Sequence, residues 1–139
     1  MNVECKKSFL VFGEKVDLLV TGKMTNGASA VMAQTSPPGG GPPPHSHTNE
    51  DEFFQVLEGE FEFLSDDKWK SVARGELTFA PRGTRHAFRN CGTQDGKMMF
   101  LVAPAGLDEY LEAISLLVLP ADEATLQELS KQFGIQFFV

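Results

Sequence analysis

The sequence is sparing with several residue types: three histidines, two cysteines, one tryptophan and one tyrosine in 139 residues. Two cysteines, Cys5 and Cys91, are too few and too unpatterned for a disulfide framework and read as ordinary thiols. Basic residues are short as well, with 12 Lys and Arg against 19 Asp and Glu, a net charge of −7 and an isoelectric point near 4.9. A nucleic-acid partner normally meets a basic surplus, so that partner class is disfavoured. No apolar run approaches the roughly 20 residues of a membrane span, so no membrane partner is expected. The opening MNVECKKSFLVFGEK carries an early Glu4 and only a short apolar stretch, unlike a signal peptide, and the expected address is the cytoplasm. What is present is ordinary for a globular chain: 42% hydrophobic and 22% charged residues. The length gives room for one domain with its own core, spanning 1–139.

β-type runs recur at Ser8–Phe12, Val16–Thr21, Ala28–Thr35, Glu52–Leu64, Leu77–Ala80, His86–Asn90 and Met98–Ala103. Turn residues separate them: Asn26-Gly27, the stretch Pro37–Pro44, Asp66-Asp67, Arg74-Gly75, Arg82-Gly83 and Asp95-Gly96. Short, regularly spaced strands predict an all-β sandwich or barrel rather than a parallel α/β sheet. Phe61 and Phe63 alternate with Glu60 and Glu62, giving one buried and one wet face. Two helices are predicted near the C-terminus. Leu107, Leu111 and Ile114 share one face of the first. In the second, Asp122 and Glu123 open the helix, Leu126, Leu129 and Phe133 share a face, and Lys131 and Gly134 close it. The tail Ile135–Val139 reads as a closing strand.

The histidines carry the chemistry. In an extended strand His45 and His47 project to the same side, where two imidazoles can ligate one cation. Such a pair also occurs as plain surface or core histidines. The acidic run Glu50, Asp51, Glu52 adds a carboxylate within one loop, and His86 opens another apolar strand that can face the first pair on an antiparallel barrel. Glu50 and Asp51 read as a solvated loop, with Asp51 a substitute ligand if the register slips by one. Arg82, Arg85 and Arg89 read as surface counter-charges.

The stretch Gly39–Gly59 has Gly39, five residues, His45-x-His47, four residues, Glu52, six residues, Gly59. The stretch Gly75–Asn90 has Gly75, five residues, Pro81-x-Gly83, two residues, His86, three residues, Asn90. Both resemble the two cupin motifs, without a gap or a substitution. The C-terminal PAGLDEYLEAIS and DEATLQELSKQFGIQFF are similar to the tail of small quercetin-dioxygenase-like cupins. The resemblance implies a jelly-roll β-barrel over about 8–104, followed by a helical segment and closing strand over about 105–139. It implies one divalent transition metal in the barrel, held by His45, His47, Glu52 and His86. Imidazole and carboxylate ligands suit Fe, Mn, Ni, Cu or Zn without choosing among them. Four ligands in an octahedral field leave two adjacent positions, enough for a chelating substrate or for substrate plus dioxygen.

Phe54 and Val56 lie on the side of Glu52, and Phe88 and Asn90 on the side of His86, so these four are expected to wall a pocket. Three functions follow from such a site. One is a metal-dependent oxygenase for a small enol-bearing or aromatic compound, with Glu52 as ligand and as base for the substrate hydroxyl. Another is a redox-neutral isomerase, lyase or decarboxylase. The third is a binding or sensing module that converts nothing. The expected partners are a small-molecule ligand and, through exposed barrel edges, a second copy of the chain.

Overall fold

Turn residues cut the first hundred residues into short strands, and period-two alternation folds those strands face to face. The computed structural model describes residues 2–138. Ten strands come first: β1 Lys7–Val11, β2 Glu14–Val20, β3 Ala30–Ser36, β4 His45–His47, β5 Asp51–Glu58, β6 Phe61–Ser65, β7 Lys68–Val72, β8 Leu77–Ala80, β9 His86–Asn90 and β10 Gly96–Ala103. Helices α1 Leu107–Ile114 and α2 Glu123–Gln132 follow, and β11 Ile135–Phe137 closes the chain. Val139, the last residue of the expected closing strand, lies outside the described residues. The strands form two antiparallel sheets, ordered β1-β2-β3-β10-β5-β8 and β11-β4-β9-β6-β7. The architecture is the jelly-roll barrel that the resemblance implies, with two C-terminal helices.

The core lies between the sheets. Phe54 sits near its middle, with ring centroids 5.0 Å from Phe63 and 6.0 Å from both Phe88 and Phe100. All four rings are buried, and each contributes about 1.5–3 kcal/mol by leaving water. α1 adds Leu107, Tyr110 and Ile114 to the same cluster, so the helical segment shares the barrel's core.

The structure differs from the sequence reading at three places. Glu52–Leu64 is two strands in opposite sheets, because the chain crosses between sheets at Gly59. There φ is +87°, and a Cβ would meet the Gly96 Cα at 2.9 Å. β7 gave no pattern in sequence because it is a mostly exposed edge strand, with Lys68 and Lys70 outward. β4 emerges directly from the Pro/Gly stretch. Its three buried residues pair with β11 (Ile135 opposite His47, Phe137 opposite His45) and with β9 (His45 opposite His86).

Candidate metal centre

β4 and β9 pair so that His45 stands directly opposite His86, while β5 brings Glu52 across from the other sheet. All four side chains are buried, and one potential ligand atom from each lies within 4.8 Å of the others. The histidine tautomers follow from their partners. His45 Nδ1 lies 2.8 Å from the Pro43 carbonyl and His86 Nδ1 lies 3.0 Å from the Thr84 carbonyl. A carbonyl only accepts, so both rings donate through Nδ1–H and present the other ring nitrogen, Nε2, as a lone pair. His47 Nδ1 donates to Glu50 Oε1 at 2.7 Å.

Three buried atoms here have no hydrogen-bond partner: His47 Nε2, His86 Nε2 and Glu52 Oε1. Glu52 Oε1 is 2.5 Å from His47 Nε2 and 3.3 Å from His86 Nε2. Buried polar atoms are rarely left unmatched. Four potential ligand atoms gathered within 4.8 Å of one another are what a coordinated cation requires. Residue types and geometry therefore both fit a divalent transition metal.

The electrostatics agree. Burial, with His86 and His47 alongside, pushes His45 down to about 3, so it is neutral at ordinary pH. Burial also pulls His47 down, but the Glu52 and Glu50 carboxylates reverse this and raise it to about 9. Burial would raise Glu52, yet His47 and His86 hold its carboxyl well below the usual carboxylate range. The neighbouring carboxyl groups favour a proton on His47, and a metal ion would compete with it.

Glu50 corrects the sequence reading. It is not on a solvated loop but 5% exposed, and its carboxylate fixes the ring of a candidate ligand. Its neighbour Asp51 does face outward, accepting hydrogen bonds from the Arg82 backbone N–H at 2.9 Å and from Arg82 Nε at 3.2 Å. Arg89 pairs with Glu62 at 3.0 Å and lies 3.9 Å over the Trp69 ring, so these two arginines are engaged on the surface.

A cavity of about 470 Å3 opens over the cluster. Of the four residues expected to wall it, Phe54 and Phe88 do. Val56 does not, because it lies one layer further along β5, opposite Met98 in the closed core. Asn90 does not either. Its side chain donates to the Ser36 and Gln94 carbonyls at 2.9 and 2.8 Å and accepts from Gly92 N at 2.8 Å, which ties loops together. Sequence reasoning missed the opposite wall, which comes from the C-terminal segment: Leu107, Tyr110, Leu111, Ile114 and Leu126. Their helical periodicity pointed inward but could not say onto what. Glu14 and Gln34 also line the cavity, whereas no lysine or arginine does.

Residues 32–102, just over half of the chain, match the cupin domain family. The chain is 28% identical over 89 residues to the oxalate-binding protein of Thermotoga maritima, covering 64% of this chain and 74% of that one. It is 31% identical over 67 residues to the polyketide synthase CurC of Streptomyces cyaneus, covering 48% of this chain and 44% of that protein. Among solved structures it resembles a predicted oxalate decarboxylase from Thermotoga maritima, with a TM-score of 0.63 at 24% identity, covering 75% of this chain and 99% of that one. With the two-sheet barrel, the buried His and Glu cluster and the family match over its central strands, the chain belongs to the cupins.

Proposed function

We propose that the protein is a metal-dependent oxygenase of the quercetin-dioxygenase-like kind, acting on a small, flat, enol-bearing or aromatic compound. One observation carries this reading: the cavity over the His45, His47, Glu52 and His86 cluster is walled by aromatic and aliphatic side chains and has no lysine or arginine. An uncharged planar compound gains from such walls. A small dianion would find only the metal to balance its charge, with Glu14 and Glu123 in the lining opposing it.

The chain's own part follows from the geometry. His45, His47, Glu52 and His86 would hold the ion. A bound ion would supply Lewis acidity for a chelated hydroxyl and, if redox-active, electron exchange with dioxygen. Glu52, a carboxylate throughout the working range, would accept the hydroxyl proton. Phe54, Phe88 and Phe100 orient the ring and exclude water. Polyketide chemistry, named for the relative CurC, deals in β-dicarbonyl compounds that enolise and chelate, which favours the same substrate class.

The relative named as an oxalate-binding protein favours a second reading, in which a small acid is bound or processed without oxidation. An oxygen electrode separates the two. Iron-loaded protein with 3-hydroxyflavone or a catechol should consume oxygen above a metal-free control; no uptake despite full loading and measurable binding leaves the second reading standing. We also propose a homodimer through the edge strand β8, where Leu77 and Phe79 are 65% and 50% exposed. Light scattering of the purified chain should give twice the 15.2 kDa chain mass, and a monomer would refute this.

A further inference from the structure

The inward rows of β2 and β3 begin as ordinary core. Val16 and Leu18, and Ala30 and Met32, all point into the barrel and are buried. Continuing each row by the two-residue period replaces hydrocarbon with polar groups: Glu14 on β2, then Gln34 and Ser36 on β3. Gln34 stands between Val16 and Met98, which are 0% and 1% exposed, where an apolar residue would pack without penalty. A polar side chain in such a row needs a reason.

The three groups form one network. Glu14 Oε1 accepts from Gln34 Nε2 at 2.9 Å and from Ser36 Oγ at 2.5 Å, and Glu14 Oε2 accepts from the Gly41 N–H at 3.0 Å. A carboxylate only accepts, so the pole of the Gln34 amide facing Glu14 is its NH2 group. The carbonyl oxygen, Oε1, is the pole of the amide that Glu14 does not engage. Gln34 lines the cavity, and Oε1 has no hydrogen-bond partner among the described residues.

The rest of the wall has little to donate. Ser130 Oγ donates to the Leu126 carbonyl at 2.7 Å, which makes the Tyr110 hydroxyl the donor in its 2.8 Å bond to Ser130. His45 and His47 commit their Nδ1–H groups to Pro43 and Glu50. Of the side-chain donors lining the cavity, only the second N–H of Gln34 is uncommitted, whereas Gln34 Oε1 and the Glu14 and Glu123 carboxylates all accept. Strand register gives the span. Glu52, Val102 and Ala30 share one level, Phe54, Phe100 and Met32 the next, and Val56, Met98 and Gln34 the third. Four residue steps at about 3.3 Å each put Gln34 on the order of 13 Å along the sheet from the level of Glu52.

We propose that Gln34, oriented by Glu14, is a specificity-determining acceptor that selects ligands carrying a hydroxyl donor at the end remote from their metal-chelating group. This rests on the reading of the cavity as a site for a flat chelating compound. It adds a requirement which the metal and the aromatic walls do not impose: a donor at the far end, and not an acid.

The test uses nickel-loaded protein, so that binding is read without turnover, and three probes: 3-hydroxyflavone, its 4′-hydroxy derivative and its 4′-methoxy derivative. The wild-type protein should bind the 4′-hydroxy compound about tenfold more tightly than the 4′-methoxy compound, the effect of one hydrogen bond. That ratio should fall to about one in Gln34→Met. In Glu14→Gln, which frees the amide to turn while leaving Gln34 in place, it should fall to about threefold. Metal content and thermal unfolding verify that each variant is folded. A wild-type ratio of one, an unchanged ratio in either variant, or no binding of any probe overturns the proposal. Failure of the iron-loaded protein to take up oxygen while these ratios hold counts against the oxygenase reading alone.

Discussion

Replacing Glu50 with Gln sets two effects of one carboxylate against each other. Glu50 orients His47 as a ligand through Nδ1, and loss of such a partner typically weakens metal binding 10–100-fold. The same carboxylate helps to raise His47 to about 9, and that proton occupies the nitrogen a metal would need. The sign is set by the folded-state value. Below pH 9 each unit of acid costs the wild-type protein about tenfold in metal affinity, because one proton must leave His47. His45, near 3, and Glu52, held low, add no slope in this range. With His47 at about 9, the wild-type affinity should therefore rise roughly 25-fold from pH 7.0 to 8.5. In Glu50→Gln the slope should flatten, since His47 is less basic, although Glu52 still raises it. A variant close to wild type at pH 7.0 should then be about 10- to 25-fold weaker at pH 8.5, where less proton competition masks the lost orientation. Competition with a chromophoric chelator for nickel, corrected for the pH dependence of the chelator, reads all four affinities. A flat wild-type profile, or a variant that parallels wild type at both pH values, would refute the reasoning.

His47→Ala and His86→Ala should each lose most bound metal by elemental analysis; full occupancy in either removes that residue from the ligand set. Glu52→Gln should weaken metal binding and abolish turnover whereas Asp51→Asn does little to either, and the reverse pattern would put the β5 register off by one. Phe54→Ala should cost about 3–5 kcal/mol in denaturant unfolding, given its place among four aromatic rings. Gly41→Ala should cost about 1–3 kcal/mol from its φ of +136° alone, and more from a Cβ that would lie 2.0 Å from the Phe88 carbonyl oxygen; a melting temperature equal to wild type would show that the loop can move aside.

Most of the barrel is legible because its signals are local. Alternation and turn chemistry place β8 and β9 at the bounds they have in the structure, and α1 and α2 follow from apolar spacing and the Gly134 stop. What was illegible depended on partners. β7 is held by Phe61–Ser65 and offers no apolar face of its own, so nothing in KWKSV separates it from a loop. The crossing at Gly59 needed the knowledge that β5 and β6 lie in different sheets. The cavity's far wall could not be assigned because helical periodicity gives a buried face without naming what it buries against.

The cluster at His45, His47, Glu52 and His86 is legible from spacing; the residues that complete its surroundings are legible from a simpler rule carried further than the motif. Glu52 points inward, so carrying the alternation one step back, just past the start of β5, puts Glu50 inward and Asp51 outward, and Glu50 is buried in the structure. Ala30 and Met32 point inward, so one step forward puts Gln34 in the same row. Both residues look like solvated polar positions only if polarity is allowed to override register. Geometry decides which way a strand residue faces, and polarity decides what it costs to face there. A polar residue on the inward phase of a strand is therefore the sequence signal for a site. In this chain that signal picks out Glu50 behind one candidate ligand and Gln34 at the far end of the cavity.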